Sequence, residues 1–423
     1  MIFKYEVEFL FLKNSIIFTI STSTEESMNV FLDDLFLTFS TLNPDNEIYT
    51  IQGVQIYNQD LENKFYSLVQ KYKHQLPELS GVLAQLRKLN KGERFIFLPK
   101  QKMETEQRIK LRSFLEAENN GGNFEAIYED AMSKLGDVIM TYNMQTFGDY
   151  RVNIGTQNKN HRICRFCKNK SEPLTFNNKA HAISEALGNK TLILYDECDL
   201  CNKRIGQTIE SDIIEYLSLF RTMFSIKGKG GNKKFTGKNF ELAADENNLK
   251  LTFKSIKDRP KTPDEDYNVK LVSQKPVVLQ NIYKSLCKYF LSVIDENLLK
   301  HFDKTIDWIN GDFETLSLPL IAEQITYNQF TTQPNLVYYI RKNDNKNLPY
   351  AVCEFQFTCK RMLFIIPFSD LDEKDFTLNN DFQNFWLTFK PYSNVGNWGH
   401  NDFSNNNARE FKLTLQFTKE NKN

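Results

Sequence analysis

Four cysteines stand as two Cys-x-x-Cys pairs, Cys164/Cys167 and Cys198/Cys201, in a chain of 423 residues that holds seven cysteines in all. Each pair can grip one side of a tetrahedral ion with thiolates at ~2.3 Å, so together they have the make-up of a closed structural zinc (Zn²⁺) site. In a reducing compartment such pairs read as metal or redox sites rather than structural disulfides. A redox pair needs one Cys-x-x-Cys at a strand–helix junction, not two. The 30 residues between Cys167 and Cys198 exceed the ~15–20 of a plain zinc ribbon, so the knuckles flank an insert.

The insert carries His181, the histidine in a motif-like setting; His74, His161, His301 and His400 stand apart and receive no catalytic role. A neutral imidazole, with a pKa near ~6.5, can take a proton from water near neutral pH. Asn202 follows the second knuckle directly. Its amide oxygen suits a hard ion such as Mg²⁺, and asparagine is equally suited to cap a helix.

Around these residues the pattern predicts a strand near His181, a turn, and a return strand at Thr191–Tyr195. Cys198 then opens a helix on which Ile205, Ile209, Ile213 and Leu217 recur every four residues as one buried stripe. Strand, loop, strand and helix, with zinc at the open end, make a ββα unit.

The pattern Ala-His-x-Ile-x-Glu-Ala-Leu-Gly-Asn from Ala180 to Asn189, then Glu-Cys-Asp-x-Cys-Asn from Glu197 to Asn202, then Gly206 and Ile209-Glu210, resembles the His-Asn-His (HNH) endonucleases with paired zinc knuckles. The resemblance covers roughly a seventh of the chain. It implies a catalytic divalent ion, Mg²⁺, Mn²⁺ or Ni²⁺, at the scissile phosphate and leaving oxygen, with His181 as general base and Asn202 as a metal ligand.

The sequence departs from the family at several points. The acidic ligand just before the histidine is Ala180 here. Glu185 is the substitute if the chain turns sharply after His181, because on a straight strand the two would lie ~13 Å apart. Glu210 lies ~12 Å beyond Asn202 on one helix, so it receives a supporting role. The family's middle asparagine falls near Ile193, and Asn189 is its substitute in steadying the loop. Ser184 stands where a proline often follows the histidine's strand.

Basic residues surround this segment. Arg162, Arg165, Lys168 and Lys170 flank the first knuckle, Lys203 and Arg204 open the helix, and no acidic residue occurs from Arg221 to Lys238. Arg162, Arg165, Lys203, Arg204, Lys227, Lys229, Lys233 and Lys234 are the expected phosphate contacts. Such contacts weaken with salt and carry no sequence information. The bland alternative is a solvated flexible loop.

The elements that must position this chemistry follow from composition and pattern. Hydrophobic residues make up 41% and charged residues 25%, as in an ordinary soluble globular protein, and 35 phenylalanines point to aromatic-rich cores. Equal numbers of basic and acidic residues, 53 each, mean that nucleic-acid binding must come from a local patch. The first residues alternate around Lys4, Glu6 and Glu8, as a strand does, unlike a secretory leader. No apolar run approaches the ~20 residues of a membrane span. The expectation is a cytoplasmic protein with no membrane partner.

Three segments are expected in an α+β chain. Residues 1–155 read as an α+β domain for recognition, regulation or dimerisation, with strands at Phe3–Phe11, Ser15–Ile20 and Glu47–Tyr57. Its expected helices are Leu61–Leu76, Glu78–Leu89, Glu104–Glu118 and Phe124–Tyr142. Residues 156–240 hold the ββα-metal module, preceded by a linker at Gly155–His161. Residues 241–423 begin with a polar joint at Asp258–Asp266. Two helices over Pro276–Asn310 then lead into a β-rich region with strands at Leu336–Ile340, Ala351–Phe357, Met362–Ile366, Phe385–Phe389 and Phe411–Phe417. The tail KENKN is expected to fray.

The resemblance implies a metal-dependent endonuclease hydrolysing phosphodiester bonds, with double-stranded DNA as its partner, in prokaryotic restriction or antiviral defence. A homodimer that nicks both strands and a regulatory ligand or partner protein both remain open. The alternative, favoured by Ala180, is a zinc-stabilised nucleic-acid- or protein-binding module without catalysis.

Overall fold

The computed structural model describes residues 3–12, 15–43, 48–99, 103, 105–148, 151–156, 158–170, 172, 174–228, 234–244, 248–254, 267–326, 330–389 and 397–417. The chain is mixed α and β. It divides into two compact units, Met1–Asn143 and Met144–Asn423.

In the first unit, β1 (Phe3–Leu10) pairs with β2 (Ser15–Thr22) on one side and with β6 (Arg94–Pro99) on the other. Strand β5 (Val54–Ile56) completes the sheet in the order β2-β1-β6-β5. Alternation along β1 sends Val7 and Phe9 to one face and Leu10 to the other. The Phe9 face is covered by α1 (Glu25–Phe39), α2 (Gln59–Tyr72) and α3 (Glu78–Leu86), giving an aromatic core of Phe9, Phe39, Phe65, Phe95 and Phe97. The Phe39 and Phe97 rings stack at 4.4 Å. Leu115 of α4 (Thr105–Asn120) packs on the Leu10 face, and α5 (Phe124–Thr141) packs on α4. A hairpin of β3 (Ser40–Asn43) and β4 (Ile48–Ile51) follows α1.

The boundary between the units falls within β7 (Tyr142–Phe147). Strand β8 (Val152–Ile154), from the segment expected to belong to the first domain, joins a sheet of the second unit. There β10 (Leu192–Leu194) runs parallel to β8 and antiparallel to β9 (Ala180–His181). Helix α6 (Asp199–Gln207) follows, then α7 (Glu210–Tyr216) and α8 (Ser218–Met223). The single helix expected after Cys198 is therefore three short ones, though Ile205, Ile209, Ile213 and Leu217 are all buried as the stripe required. The Thr208 hydroxyl donates to the Arg204 carbonyl and the Ser218 hydroxyl to the Ile214 carbonyl; such back-bonding bends helices.

Strands β11 (Phe235–Thr236), β12 (Phe240–Ala244) and β13 (Leu249–Phe253) form a small antiparallel sheet. Strand β14 (Tyr267–Val272) pairs with β22 (Lys412–Phe417), and β15 (Val277–Val278) with β21 (Ala408–Arg409). Helix α9 (Leu279–Val293) is buried almost all round, and α10 (Asp303–Asn310) follows after a 3₁₀ segment. A six-stranded sheet is built from β16 (Ile321–Ile325), β17 (Asn335–Arg341), β18 (Ala351–Phe357), β19 (Lys360–Ile365) and β20 (Gly399–Asn401) with β7, in the order β20-β16-β19-β18-β17-β7. Expected strand Phe385–Phe389 instead lies largely in α11 (Asn379–Thr388). Its apolar residues Phe382, Phe385, Trp386 and Phe389 are spaced by three and four, the helical period, and the short run Phe385–Phe389 hid that.

One hydrophobic core runs from the cysteine module through α9 to the six-stranded sheet, joining Cys164, Ile205 and Leu217 with Leu286, Tyr289, Tyr338 and Phe355. The module is thus not a free-standing bead. The joint at Asp258–Asp266 and the tail KENKN lie outside the described residues. Among the described residues no helix is long and apolar enough to cross a membrane.

Candidate metal centre and histidine face

The first knuckle is a tight turn. The Lys168 amide donates to the Cys164 carbonyl at 2.9 Å, and Lys168 and Asn169 adopt positive φ of 49° and 62°. Asparagine tolerates that region, and the Asn169 Oδ1 accepts from the Cys164 amide at 2.8 Å. The second knuckle starts α6. Cys198 is the N-cap, its Sγ accepting from the Cys201 amide at 3.4 Å. The Cys198 amide donates to the Cys164 Sγ, also at 3.4 Å.

The four Sγ atoms lie within 4.8 Å of one another, and Cys164, Cys198 and Cys201 are buried. A tetrahedron with ~2.3 Å metal–sulfur bonds has sulfur–sulfur edges of ~3.8 Å, and Cys167 and Cys198 stand 3.7 Å apart. The donor set therefore fits a metal ion, and structural zinc is compatible with it. The thiols share protons: a hydrogen bond from Cys201 lowers the Cys164 pKa and raises that of Cys201. All seven cysteines are free of disulfides. Among the described residues these four are the one group of three or more His, Cys, Asp or Glu side chains placed to hold an ion.

His181 ends β9 opposite Ile193 of β10 and is half-buried, while Ala180 before it is buried. The chain bends at once after His181 and forms a 3₁₀ turn over Glu185–Leu187, capped by Ser184. The sharp turn that Glu185 required is present. Asn189 ties the loop together: its Nδ2 donates to the Ile183 and Leu192 carbonyls at 2.7 and 3.2 Å, and its Oδ1 accepts from the Thr191 and Leu192 amides at 3.1 and 3.0 Å. Asn202 lies inside α6, its amide donating to the Cys198 carbonyl at 2.9 Å, so the cap position is Cys198's and not its own. Among the described residues no hydrogen bond occupies its half-buried side-chain amide.

Behind the histidine strand is a buried charge cluster. Lys288 of α9, 1% exposed, places its Nζ 3.3 Å from Glu197 and 3.2 Å from Glu210. The same ammonium donates to the His181 carbonyl at 3.0 Å and to the Ala182 carbonyl at 3.4 Å. Burial works against this ammonium, but the two carboxylates outweigh it and raise its pKa. One cation between two acids leaves excess negative charge in the core. Burial, opposed by Lys288 and reinforced by Glu210, pushes Glu197 up to about 7. The supporting role expected of Glu210 is thus a structural ion pair. Sequence reasoning gives Lys288 no role and Glu197 only a place in the motif; the signal available for the pair is a lone lysine inside the apolar run Leu286–Phe290, since such a residue must find a partner when buried.

Several expected phosphate contacts are corrected. Arg165 is buried and donates to the Leu291 and Ile294 carbonyls at 3.1 and 2.8 Å, closing the C-terminus of α9. Arg162 is buried, donates to the Thr156 carbonyl at 2.8 Å and stacks over Tyr195 at 4.7 Å. Arg204 binds the Asn310 side chain at 2.6 Å at the end of α10. These guanidinium groups fasten the knuckles to α9, α10 and the 154–156 corner, because a zinc module has little core of its own to do so. At that corner Gly155 has φ +88°, and a Cβ there would lie 2.1 Å from the Asp196 carboxylate, which accepts from the Thr156 amide. Lys234 pairs with Glu241 at 2.9 Å on the surface. Lys203 and Lys227 are exposed. Lys229 and Lys233 lie outside the described residues.

No family model, curated protein or solved structure matches the chain.

Proposed function

We propose that residues 156–240 hold a metal-dependent endonuclease module of the HNH type, hydrolysing phosphodiester bonds of double-stranded DNA. The observation that carries this reading is the placement of His181. It ends the first strand of a hairpin whose loop is tied by Asn189 and whose second strand leads through a cysteine knuckle into α6. In this reading His181 removes a proton from the attacking water. Asn202, from the first turn of α6, and Glu185, from the turn after β9, offer oxygen ligands in place of Ala180. A divalent ion bound there would supply charge at the scissile phosphate and leaving oxygen. Lys288 holds the backbone of His181 and Ala182 from behind, so that the imidazole is carried on a fixed strand end. The resemblance places such activity in prokaryotic restriction or antiviral defence.

A second reading, a zinc-stabilised binding module without catalysis, is favoured by one observation. Ala180 is buried in the position of the family's acidic ligand, and the described residues hold no second cluster of metal-binding side chains beside the cysteines.

The test is plasmid cleavage by wild type and His181→Ala, with added Mg²⁺, Mn²⁺ or Ni²⁺ and with EDTA. Metal-dependent nicking that falls by at least ~10²-fold in His181→Ala, with zinc content and circular dichroism unchanged, supports the nuclease. No cleavage of DNA or RNA with any of the three ions supports the binding module.

A further inference from the structure

Arg221 lies on α8 and is 6% exposed. Its Nε is enclosed without a hydrogen-bond partner. Burial depresses its pKa, and among the described residues no carboxylate offsets that. A guanidinium is otherwise rarely buried unless it is paired.

Two segments meet at this side chain. A Cβ on Gly228 would come within 2.9 Å of the Arg221 Nη2 and 3.2 Å of the Ala186 Cα and carbonyl oxygen. Ala186 belongs to the 3₁₀ turn that follows His181, next to Glu185. The Ile226 amide donates to the Arg221 carbonyl at 2.9 Å, folding the chain back so that Gly228 reaches the guanidinium. The absence of a side chain at 228 is what permits this approach.

The chain around this point supplies no counter-charge. From Arg221 to Lys238 the sequence has six basic residues and none that is acidic, and exposed Lys227 adjoins Gly228. A cationic neighbourhood favours a polyanion over a single carboxylate. A guanidinium is a planar, permanently charged fork of donors that matches a phosphate's oxygens.

We propose that Arg221 is a phosphate seat: its guanidinium receives a non-bridging oxygen of the nucleic-acid backbone that lies along the turn after His181. This rests on the nuclease reading of the module and names a substrate contact within it. Arg221 thus takes the positioning role first expected of Arg162, Arg165 and Arg204. It fixes the strand relative to His181 and is indifferent to base sequence.

The test is fluorescence anisotropy with a labelled duplex of about 20 base pairs, in Ca²⁺ without Mg²⁺, over a range of KCl concentrations. Wild type, Arg221→Gln and Arg221→Lys are compared, with circular dichroism and zinc content as controls. Arg221→Gln is expected to bind roughly tenfold more weakly and to flatten the plot of log affinity against log salt by about one unit of slope. Arg221→Lys is expected to keep the slope while losing part of the affinity, because a point charge replaces a fork. An unchanged slope with affinity within about twofold in both folded variants overturns the phosphate seat alone. Failure of the wild type to bind duplex or single-stranded DNA or RNA overturns the nuclease reading, and the seat falls with it.

Discussion

Lys288 and Arg221 are both cations buried in the second unit, and their surroundings are opposite. Lys288 has two carboxylates and two backbone carbonyls within reach of one ammonium. Arg221 has an enclosed Nε and, among the described residues, no acid beside it. In the first cluster the cation is matched by acids of this chain, and the charge left over is negative, with the Glu197 oxygens lacking a hydrogen bond among the described residues. In the second, no described residue balances the cation, and the proposed phosphate would do so. The lesson extends to Arg162, Arg165 and Arg204, which look like ligand-gripping residues in the sequence. Each is engaged by a carbonyl, a ring or an amide of the protein itself. Positive charge marks a binding surface only where the fold leaves it unmatched.

The comparison can be broken or sharpened in three steps. Stripping the cysteine site with a strong chelator should have the largest effect, because structural zinc contributes on the order of 10 kcal/mol to folding. Glu197 directly precedes Cys198, so the Lys288 cluster should come apart as well. Loss of the second unit's thermal transition, recovered by added Zn²⁺, is the expected readout. An unaltered transition after complete metal removal would mean that the charge cluster and core suffice alone.

Lys288→Met should come next. It leaves Glu197 and Glu210 buried without their cation, at a cost of ~3–5 kcal/mol. Urea unfolding measures this, and adding Glu197→Gln and Glu210→Gln should recover much of the loss. A single variant as stable as wild type would sink the idea that Lys288 offsets the two buried acids.

Arg221→Met should have the smallest effect and the opposite tendency, neutral or stabilising by on the order of 1 kcal/mol, since it removes a charge that no described residue matches. A large loss of stability would show Arg221 to be structural and would erase the contrast with Lys288.

Much of the local architecture was legible. The two knuckles, the return strand of the hairpin and strand β1 all follow from spacings of a few residues. The turn after His181 was a condition set by Glu185, and the chain meets it. The helix after Cys198 was legible in its buried stripe but not in its breaks, because Thr208 and Ser218 act through hydrogen bonds that the apolar period does not register. Strand and helix could not be told apart over Phe385–Phe389, where five residues are too few to fix a period. Polarity along the chain is also a weak guide to where segments separate. Polar stretches such as Gly155–His161 look like linkers, yet Gly155 is pressed against Asp196 and Arg162 is packed on Tyr195.

The sequence by itself determined that four cysteines come in pairs able to share an ion, that His181 lies on a strand before a turn, and that an apolar stripe follows the second knuckle. These are properties of neighbours along the chain. Only the tertiary structure decided which charges are matched. Lys288 lies 107 residues from His181, and Arg165 lies 126 residues from the Leu291 carbonyl it caps. Burial makes an unmatched charge costly, but which partner relieves it depends on packing between distant elements, and no local spacing records that.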